Sequence, residues 1–176
     1  ITITNPPTNF TYESAIWNPI TKKFLLHGKI LEAQRPIALF HVDTLGIVSN
    51  SSTSISSFTT SLVQSFVSGY DSSYVCIGAR IDSIYGNNKL NKLTVCKFDK
   101  NLNLLWLKTY GEEALYNALW DAVILNDGSI VCSGSYSKLT SLPMMNLDQN
   151  GVILKVDKDG HFKWMREYNH HAAGNY

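Results

Sequence analysis

Two stretches of the sequence decide the fold: residues 126–134 read Asn-Asp-Gly-Ser-Ile-Val-Cys-Ser-Gly, and residues 153–164 read Ile-Leu-Lys-Val-Asp-Lys-Asp-Gly-His-Phe-Lys-Trp. In both stretches a short apolar run adjoins an Asp-Gly pair. Runs rich in Val, Ile and Leu are typical of β-strands, and Asp-Gly supplies the residues that tight hairpin turns need. The sequence therefore predicts β-hairpins here, and we expect no helix in the chain.

The same pattern occurs upstream, which indicates an internal repeat of about three units. Three sets of equivalent residues mark the repeat: Asp43, Asp99 and Asp157; Gly28, Gly78 and Gly134; and Trp106 and Trp164. The first unit lacks the tryptophan. Because these residues recur at equivalent positions, we expect them to hold each unit together rather than to perform chemistry.

Each unit is predicted to form four antiparallel strands, labelled a to d in chain order. The predicted strands span 13–18, 23–30, 36–43 and 47–55, then 61–68, 74–82, 92–99 and 104–110, then 118–125, 129–136, 151–157 and 161–168. The units cover about 10–55, 61–110 and 117–168 of one domain, and residues 1–9 and 169–176 are expected to belong to neighbouring units. The first residue is Ile, not Met, so we expect a processed chain or an excerpt.

The amino-acid composition limits the kinds of partner that the chain is expected to bind. Hydrophobic residues make up 44% and charged residues 16% of the chain, and the formal net charge is +1. This near-neutral chain has no basic stripe, which argues against a nucleic-acid partner, and no apolar run approaches the roughly 20 residues of a membrane-spanning helix. We predict no nucleic-acid partner and no transmembrane segment. The Ser-, Thr- and Asn-rich composition favours an extracellular, cell-surface or periplasmic location.

The repeat resembles a β-propeller repeat of secreted and surface proteins of bacteria and archaea, whose form is a DGGYIVAG strand followed by an LVKLDxNGxxLWxKTYGG hairpin. Residues 126–134, 153–164 and 98–111 carry the match. The Asp157, Gly160 and Trp164 spacing is also similar to the tryptophan-docking repeat of quinoprotein propellers. The resemblance implies an all-β fold of about three consecutive four-stranded antiparallel blades, part of a larger propeller. It also implies that Trp106 and Trp164 dock one blade on the next.

The connections between strands indicate where a partner would bind. In an antiparallel a–b–c–d sheet, the b–c and d–a connections share one face, and here they are longer than the a–b and c–d turns. Function concentrates on variable loops held by a rigid scaffold, so we predict a binding site on this long-loop face. The candidate residues are Tyr85, Asn87, Asn88, Tyr110, Glu112, Glu113, Tyr116, Met144, Met145 and Asn146.

Several reactive side chains have both a chemical and a structural interpretation. Glu112 and Glu113, with Asp121, could form a carboxylate pair for glycoside hydrolysis, but solvated surface acids are the commoner case. Cys76, Cys96 and Cys132 form no C-x-x-C pair and are interpreted as buried strand residues, with a Cys76–Cys96 disulfide as the alternative. The acidic 157–159 turn lacks calcium-loop spacing. We predict no catalytic residue, no metal and no cofactor.

The leading hypothesis is a non-enzymatic, secreted or cell-surface propeller module that binds protein or glycan, or serves as a scaffold in a larger assembly. Its partners would include the remaining blades of the propeller or other subunits of a surface complex. The alternative is a fragment of a propeller enzyme, glycosidase-like or quinone-dependent, whose active residues lie mostly outside this chain. A third possibility is a small subunit that completes a ring by self-association.

Overall fold

The structure, a computed structural model, describes residues 10–30, 37–53, 62–85, 88–115, 117–137 and 149–168. The described residues form twelve β-strands and contain no helix. In chain order the strands are β1 (Phe10–Asn18), β2 (Lys23–Ile30), β3 (Ile37–Val42), β4 (Val48–Thr53), β5 (Leu62–Ser68), β6 (Tyr74–Tyr85), β7 (Asn88–Phe98), β8 (Leu104–Ala114), β9 (Ala118–Ile124), β10 (Ile130–Tyr136), β11 (Asn150–Val156) and β12 (Phe162–Tyr168).

The strands form three antiparallel four-stranded sheets, and each sheet keeps its strands in chain order. We call them the first blade (β1–β4), the second blade (β5–β8) and the third blade (β9–β12). The first strands of the three blades, β1, β5 and β9, are edge strands that lie side by side and line a shared cleft of about 430 Å³. The predicted fold class, all-β with three propeller-like four-stranded blades, is confirmed. The described residues accordingly include no helix that is long and apolar enough to cross a membrane.

The observed strands differ from the predicted ones mainly in the second blade. β6 continues to Tyr85 and β7 begins at Asn88, so residues predicted as a loop extend this hairpin. β8 continues beyond Tyr110 to Ala114. In the third blade every observed strand begins and ends within one residue of its predicted bounds.

Six short turns join strands a to b and c to d on one face, which we call the short-turn face. In the c–d turns the Oδ1 atom of Asp43, Asp99 or Asp157 accepts two backbone N–H groups, at distances of 2.8–3.0 Å. The a–b turns use the same chemistry at Asn18, Asp71 and Asp127. One residue with positive φ closes each turn: Lys22, Gly46, Ser72, Leu102, Gly128 and Gly160. The recurring aspartates are therefore turn residues, as their repetition predicted.

The recurring glycines lie opposite a β-bulge in strand a of each blade. Gly28, Gly78 and Gly134 pair at the bulge with Tyr12, Val63 and Leu119. At Gly134 a Cβ atom would lie 2.2 Å from the carbonyl oxygen of Ala118. A side chain cannot fit this close approach of two backbones, so glycine is required there.

The hydrophobic core lies between consecutive blades. Leu25 and Leu39 of the first blade pack with Phe66, Phe98 and other residues of the second. A larger cluster joins the second and third blades through the side chains Val75, Ile77, Leu93, Val95, Leu119, Ile130, Cys132, Val152, Leu154 and Val156. Burial of apolar surface between neighbouring sheets is what stabilises stacked repeats.

The three cysteines are buried free thiols in these cores, and the Cys76–Cys96 disulfide is absent. Cys76 and Cys96 face each other across β6 and β7, and the Cys96 thiol donates a hydrogen bond to the Cys76 carbonyl at 3.6 Å. Burial raises the pKa of the Cys96 thiol well above its usual value, and burial together with Asp121 raises that of Cys132 to about 12. Neutral buried thiols behave as small apolar residues, in line with the structural interpretation.

Candidate functional site

A two-stranded ribbon projects from the long-loop face of the second blade. Among the described residues, β5 pairs with β6 as far as Ala79 and β8 pairs with β7 from Asn91, whereas β6 and β7 pair with each other up to Tyr85 and Asn88. Residues 82–85 and 88–90 therefore extend beyond the four-stranded sheet. Ile84 lies on this ribbon with 68% of its surface exposed. Two predicted site residues, Tyr85 and Asn88, thus lie at the ends of the ribbon strands.

Charged side chains hold the base of the ribbon against β8. The Lys92 ammonium lies 2.7 Å from an Asp82 carboxylate oxygen and 3.4 Å from a Glu113 oxygen. The Ser83 hydroxyl also donates a hydrogen bond to the Glu113 carboxylate. The hydrogen bond from Lys92 lowers the pKa of Asp82, and the same contact raises the pKa of Lys92. These groups are partly exposed, so the network links the ribbon base to β8 but adds little to stability.

Glu112, the predicted neighbour of Glu113, lies at the corner where the second blade connects to the third. Its backbone N–H donates to the Tyr136 hydroxyl at 2.8 Å, and its carbonyl accepts from the Asn117 amide at 2.8 Å. Gly111 has a φ of 75°, and a Cβ there would lie 2.7 Å from the Tyr136 ring. The backbone of this corner is therefore held rigidly, while the Glu112 side chain is exposed.

Tyr110, also a predicted contact residue, is buried between the second and third blades. Its side chain is 7% exposed, and its hydroxyl donates to the carbonyl oxygen of Gly160 at 2.8 Å. Burial raises the pKa of this phenol above its usual value. In this position Tyr110 contacts the next blade, and it offers little surface to an external partner.

The other predicted site residues lie outside the described part of the chain. They are Asn87, Tyr116, Met144, Met145 and Asn146. The structure brings Glu113 together with Asp82, Ser83 and Lys92, which the sequence did not single out. Residues 81–85 read Ile-Asp-Ser-Ile-Tyr, and the pairing of β6 with β7 shifts between Ile81 and Ser83, so period-2 alternation offered no signal for the extension of β6.

Asp121 and the buried His27 each have local hydrogen-bond partners. Asp121 is exposed and accepts the N–H of Ala122 at 2.8 Å. The His27 ring is 2% exposed, with Nδ1 2.8 Å from the Ser14 hydroxyl and Nε2 2.9 Å from Glu13. A Ser–His–Glu contact invites comparison with a catalytic triad. Here, however, the ring is buried against Phe66, at 4.7 Å between ring centroids, so the network fits a satisfied core histidine.

Among the described residues one group of possible metal ligands lies together: Asp157, Asp159 and His161, with ligand atoms within 4.8 Å of one another. Asp157 is already occupied, because its Oδ1 accepts two N–H groups and its Oδ2 lies 3.1 Å from the Lys163 ammonium. The N–H of His161, with help from Lys163, lowers the pKa of Asp157. A turn role accounts for these contacts, and the prediction of no metal stays a prediction.

Comparison with known proteins adds no assignment to this geometry. No protein-family model matches the chain, and no curated protein matches it.

Proposed function

We propose that the chain is a non-enzymatic scaffold segment of the β-propeller type that binds a protein partner through its long-loop face. The observation that carries the proposal is the projecting ribbon of the second blade. It carries the exposed Ile84, and the charged groups Asp82, Lys92 and Glu113 lie together near its base. An exposed apolar side chain with charged groups nearby is compatible with the mixed composition of protein-binding patches.

The rigidity of the surroundings supports the same role. The ribbon base is fixed by the contacts of Lys92, and the adjoining corner is fixed by Asn117 and Tyr136. A rigid site binds without a large loss of conformational freedom, which favours affinity. The polar, near-neutral composition and the resemblance to repeats of surface proteins lead us to propose a position outside the cytoplasm, within a larger assembly.

Two matched substitutions test the binding site. Ile84→Glu changes the ribbon, and Leu45→Glu changes an apolar residue of similar exposure, 78%, on the short-turn face. Neither should alter the free energy of unfolding by more than about 0.5 kcal/mol, because both side chains are exposed. Proteins cross-linked to the chain in the extracellular fraction of its source would be identified by mass spectrometry, purified and titrated directly.

We expect a purified partner to bind the unmodified chain and Leu45→Glu equally, and to bind Ile84→Glu at least about tenfold more weakly, or about 1.4 kcal/mol. Equal binding by Ile84→Glu would contradict the proposed site. Binding to a glycan array in place of any protein would contradict the proposed partner class. Catalytic turnover that Glu112→Gln or Glu113→Gln abolishes would contradict the non-enzymatic assignment and favour the propeller-enzyme alternative.

A further inference from the structure

A polar recess of about 340 Å³, which we call the interblade recess, lies on the short-turn face where the first blade meets the second. Its lining consists of Thr21, Lys23, His41 and Ser49 of the first blade with Lys100 and Asn101 of the second. The described residues that line it thus include two lysines and no acidic or purely apolar side chain. A lining of this kind attracts a negatively charged, hydrophilic ligand.

Neither lysine of the interblade recess, Lys23 or Lys100, forms an ion pair with another described residue. Asp99, which precedes Lys100, is engaged by its own turn, because its Oδ1 accepts two backbone N–H groups and its Oδ2 accepts the Asn103 amide at 2.8 Å. Burial, with Lys23 nearby, lowers the pKa of His41, so this ring is neutral at pH 7. The two lysines therefore supply the charge of the recess, and that charge is open to an anion.

The a–b turn that borders the interblade recess carries two buried polar groups with no hydrogen-bond partner among the described residues: the Thr21 hydroxyl and the Asn18 side-chain nitrogen. Thr21 lines the recess, and the Asn18 Oδ1 accepts the N–H groups of Ile20 and Thr21 at 3.0 and 3.1 Å. Buried polar groups are almost always hydrogen-bonded, so two unpartnered groups in one turn indicate a partner from outside the chain, water or ligand.

A second recess, of about 460 Å³ on the third blade, provides a matched contrast. Lys158 has the same position in the c–d turn of the third blade as Lys100 has in that of the second, but the next residue is Asp159 in place of Asn101. Three lysines line this third-blade recess together with the carboxylates of Asp127, Asp157 and Asp159. Its charges therefore compensate one another, and the excess of positive charge is a property of the interblade recess.

We propose that the interblade recess binds a phosphate or sulfate group, free or carried by a small hydrophilic molecule, through Lys23 and Lys100. Such a group presents three or more oxygens, and the lining offers it two ammonium groups with the hydroxyl and amide donors of Thr21, Ser49 and Asn101. A carboxylate presents two oxygens and suits this number of donors less well. The volume lies near the lower end of the range for ligand pockets, so a small sugar-like group also fits. The recess lies on the opposite face from the ribbon, and the inference goes beyond the proposed function.

Nitrogen-15 NMR titration of the 176-residue chain tests the proposal with inorganic phosphate, inorganic sulfate, glucose 6-phosphate, glucose and acetate. We expect the backbone signals of Thr21, Lys23, Lys100 and Asn101 to shift and saturate with the first three compounds, and to stay in place with glucose. Acetate should bind at least about threefold more weakly than phosphate. The backbone signal of Lys158 should not move. Tighter binding of glucose 6-phosphate than of inorganic phosphate supports a phosphorylated ligand, and equal binding supports the free anion.

Four variants locate the binding group. Lys23→Gln should weaken phosphate binding about tenfold, because it removes a charged donor that is partly buried. Lys100→Gln should weaken it about threefold, because this lysine is exposed. Asn101→Asp, which copies the residue that the third blade has at this position, should weaken it at least about tenfold by adding a carboxylate to the lining. Lys158→Gln removes the same charge from the third-blade recess and should leave phosphate binding unchanged.

Three results would overturn the proposal. The first is a titration with phosphate and sulfate in which no signal of the interblade recess shifts and saturates. The second is an equal loss of binding in Lys100→Gln and Lys158→Gln, because the chain would then respond to its net charge alone. The third is acetate that binds as tightly as phosphate, which would exclude the proposed class of anion. Ile84→Glu lies on the ribbon and should leave the phosphate titration unchanged, so failure of the protein-binding function leaves this test intact.

Discussion

Strands β8 and β12 carry the same alternation of tryptophan, cation and tyrosine, but within the described part of the chain a following turn contacts β8 and none contacts β12. Trp106 covers Gly160, and Tyr110 is buried with its hydroxyl on the Gly160 carbonyl, while Trp164 is partly exposed. The pattern is therefore a device for joining blades, and its energetic value depends on whether the next blade is present. Matched substitutions in the two strands can measure that dependence.

Substitution of the two equivalent tryptophans, Trp106 and Trp164, should give the largest difference in the free energy of unfolding. Trp106→Ala removes a partly buried ring that packs on the third blade, and we expect it to lower the free energy of unfolding by about 3 kcal/mol, the low end of the range for large aromatic residues. Trp164→Ala should lower it by less, about 1 kcal/mol, since its ring is 38% exposed and lacks that contact. Urea denaturation of the two variants measures both values. Equal losses would show that the strands do not differ in the way the structure indicates.

The turn side of the same contact gives the second largest effect. Gly160→Ala forces a non-glycine residue to φ 75° and places a Cβ 2.9 Å from the Trp106 ring, so we expect a loss of about 2–3 kcal/mol. Gly128→Ala is the matched control, because φ is 79° there but the nearest atom is the Lys158 Cβ at 3.2 Å. Backbone strain alone should cost this control about 1 kcal/mol. Thermal unfolding should therefore show a larger fall in melting temperature for Gly160→Ala than for Gly128→Ala.

Removal of one hydroxyl should produce a smaller effect. Tyr110→Phe deletes the hydrogen bond to the Gly160 carbonyl and leaves that oxygen without its phenol donor, so we expect a loss of about 1 kcal/mol. Tyr168→Phe should leave the free energy of unfolding unchanged in the 176-residue chain. A measurable loss with Tyr168→Phe and none with Tyr110→Phe would contradict the difference between the two strands.

The smallest effect concerns the other interface, between the first and second blades. His41 is buried there, 3.0 Å from the Tyr74 hydroxyl, and burial, with Lys23 nearby, lowers its pKa below 6.5. Because the unfolded chain then binds the proton more readily, stability is fully present above pH 6.5 and declines as the pH falls below it. Urea midpoints at pH 7.5 and 5.5 should differ less for His41→Gln than for the unmodified chain.

Much of the fold could be predicted because its signals are local. Asp43, Asp99 and Asp157 accept hydrogen bonds from backbone N–H groups two and four residues later. A short stretch of sequence is therefore enough to predict their role in the turns. The extension of β8 beyond Tyr110 could not be predicted in the same way. It depends on Gly111 passing the ring of Tyr136, a residue of the next blade, and such non-local contacts leave no periodic pattern.

In the candidate site, too, the features set locally could be predicted and the contacts between distant residues could not. The long-loop face follows from antiparallel topology, and residues on it such as Glu113 could be named from the sequence. The partners of Glu113, which are Lys92 and Ser83, come from other strands and depend on the register of β6, β7 and β8. Tyr110 was expected on that face, but the third blade buries it. Its sequence context does not reveal that Gly160, 50 residues later, accepts its hydroxyl.

The most direct test of the central claim is a double-mutant cycle between Trp106→Ala and Gly160→Ala. If strand d of one blade holds the turn of the next, Gly160→Ala should be tolerated better once the indole is gone, with a coupling free energy of about 1 kcal/mol or more. Additive losses, within about 0.5 kcal/mol, would contradict the claim, because the two residues would then act independently.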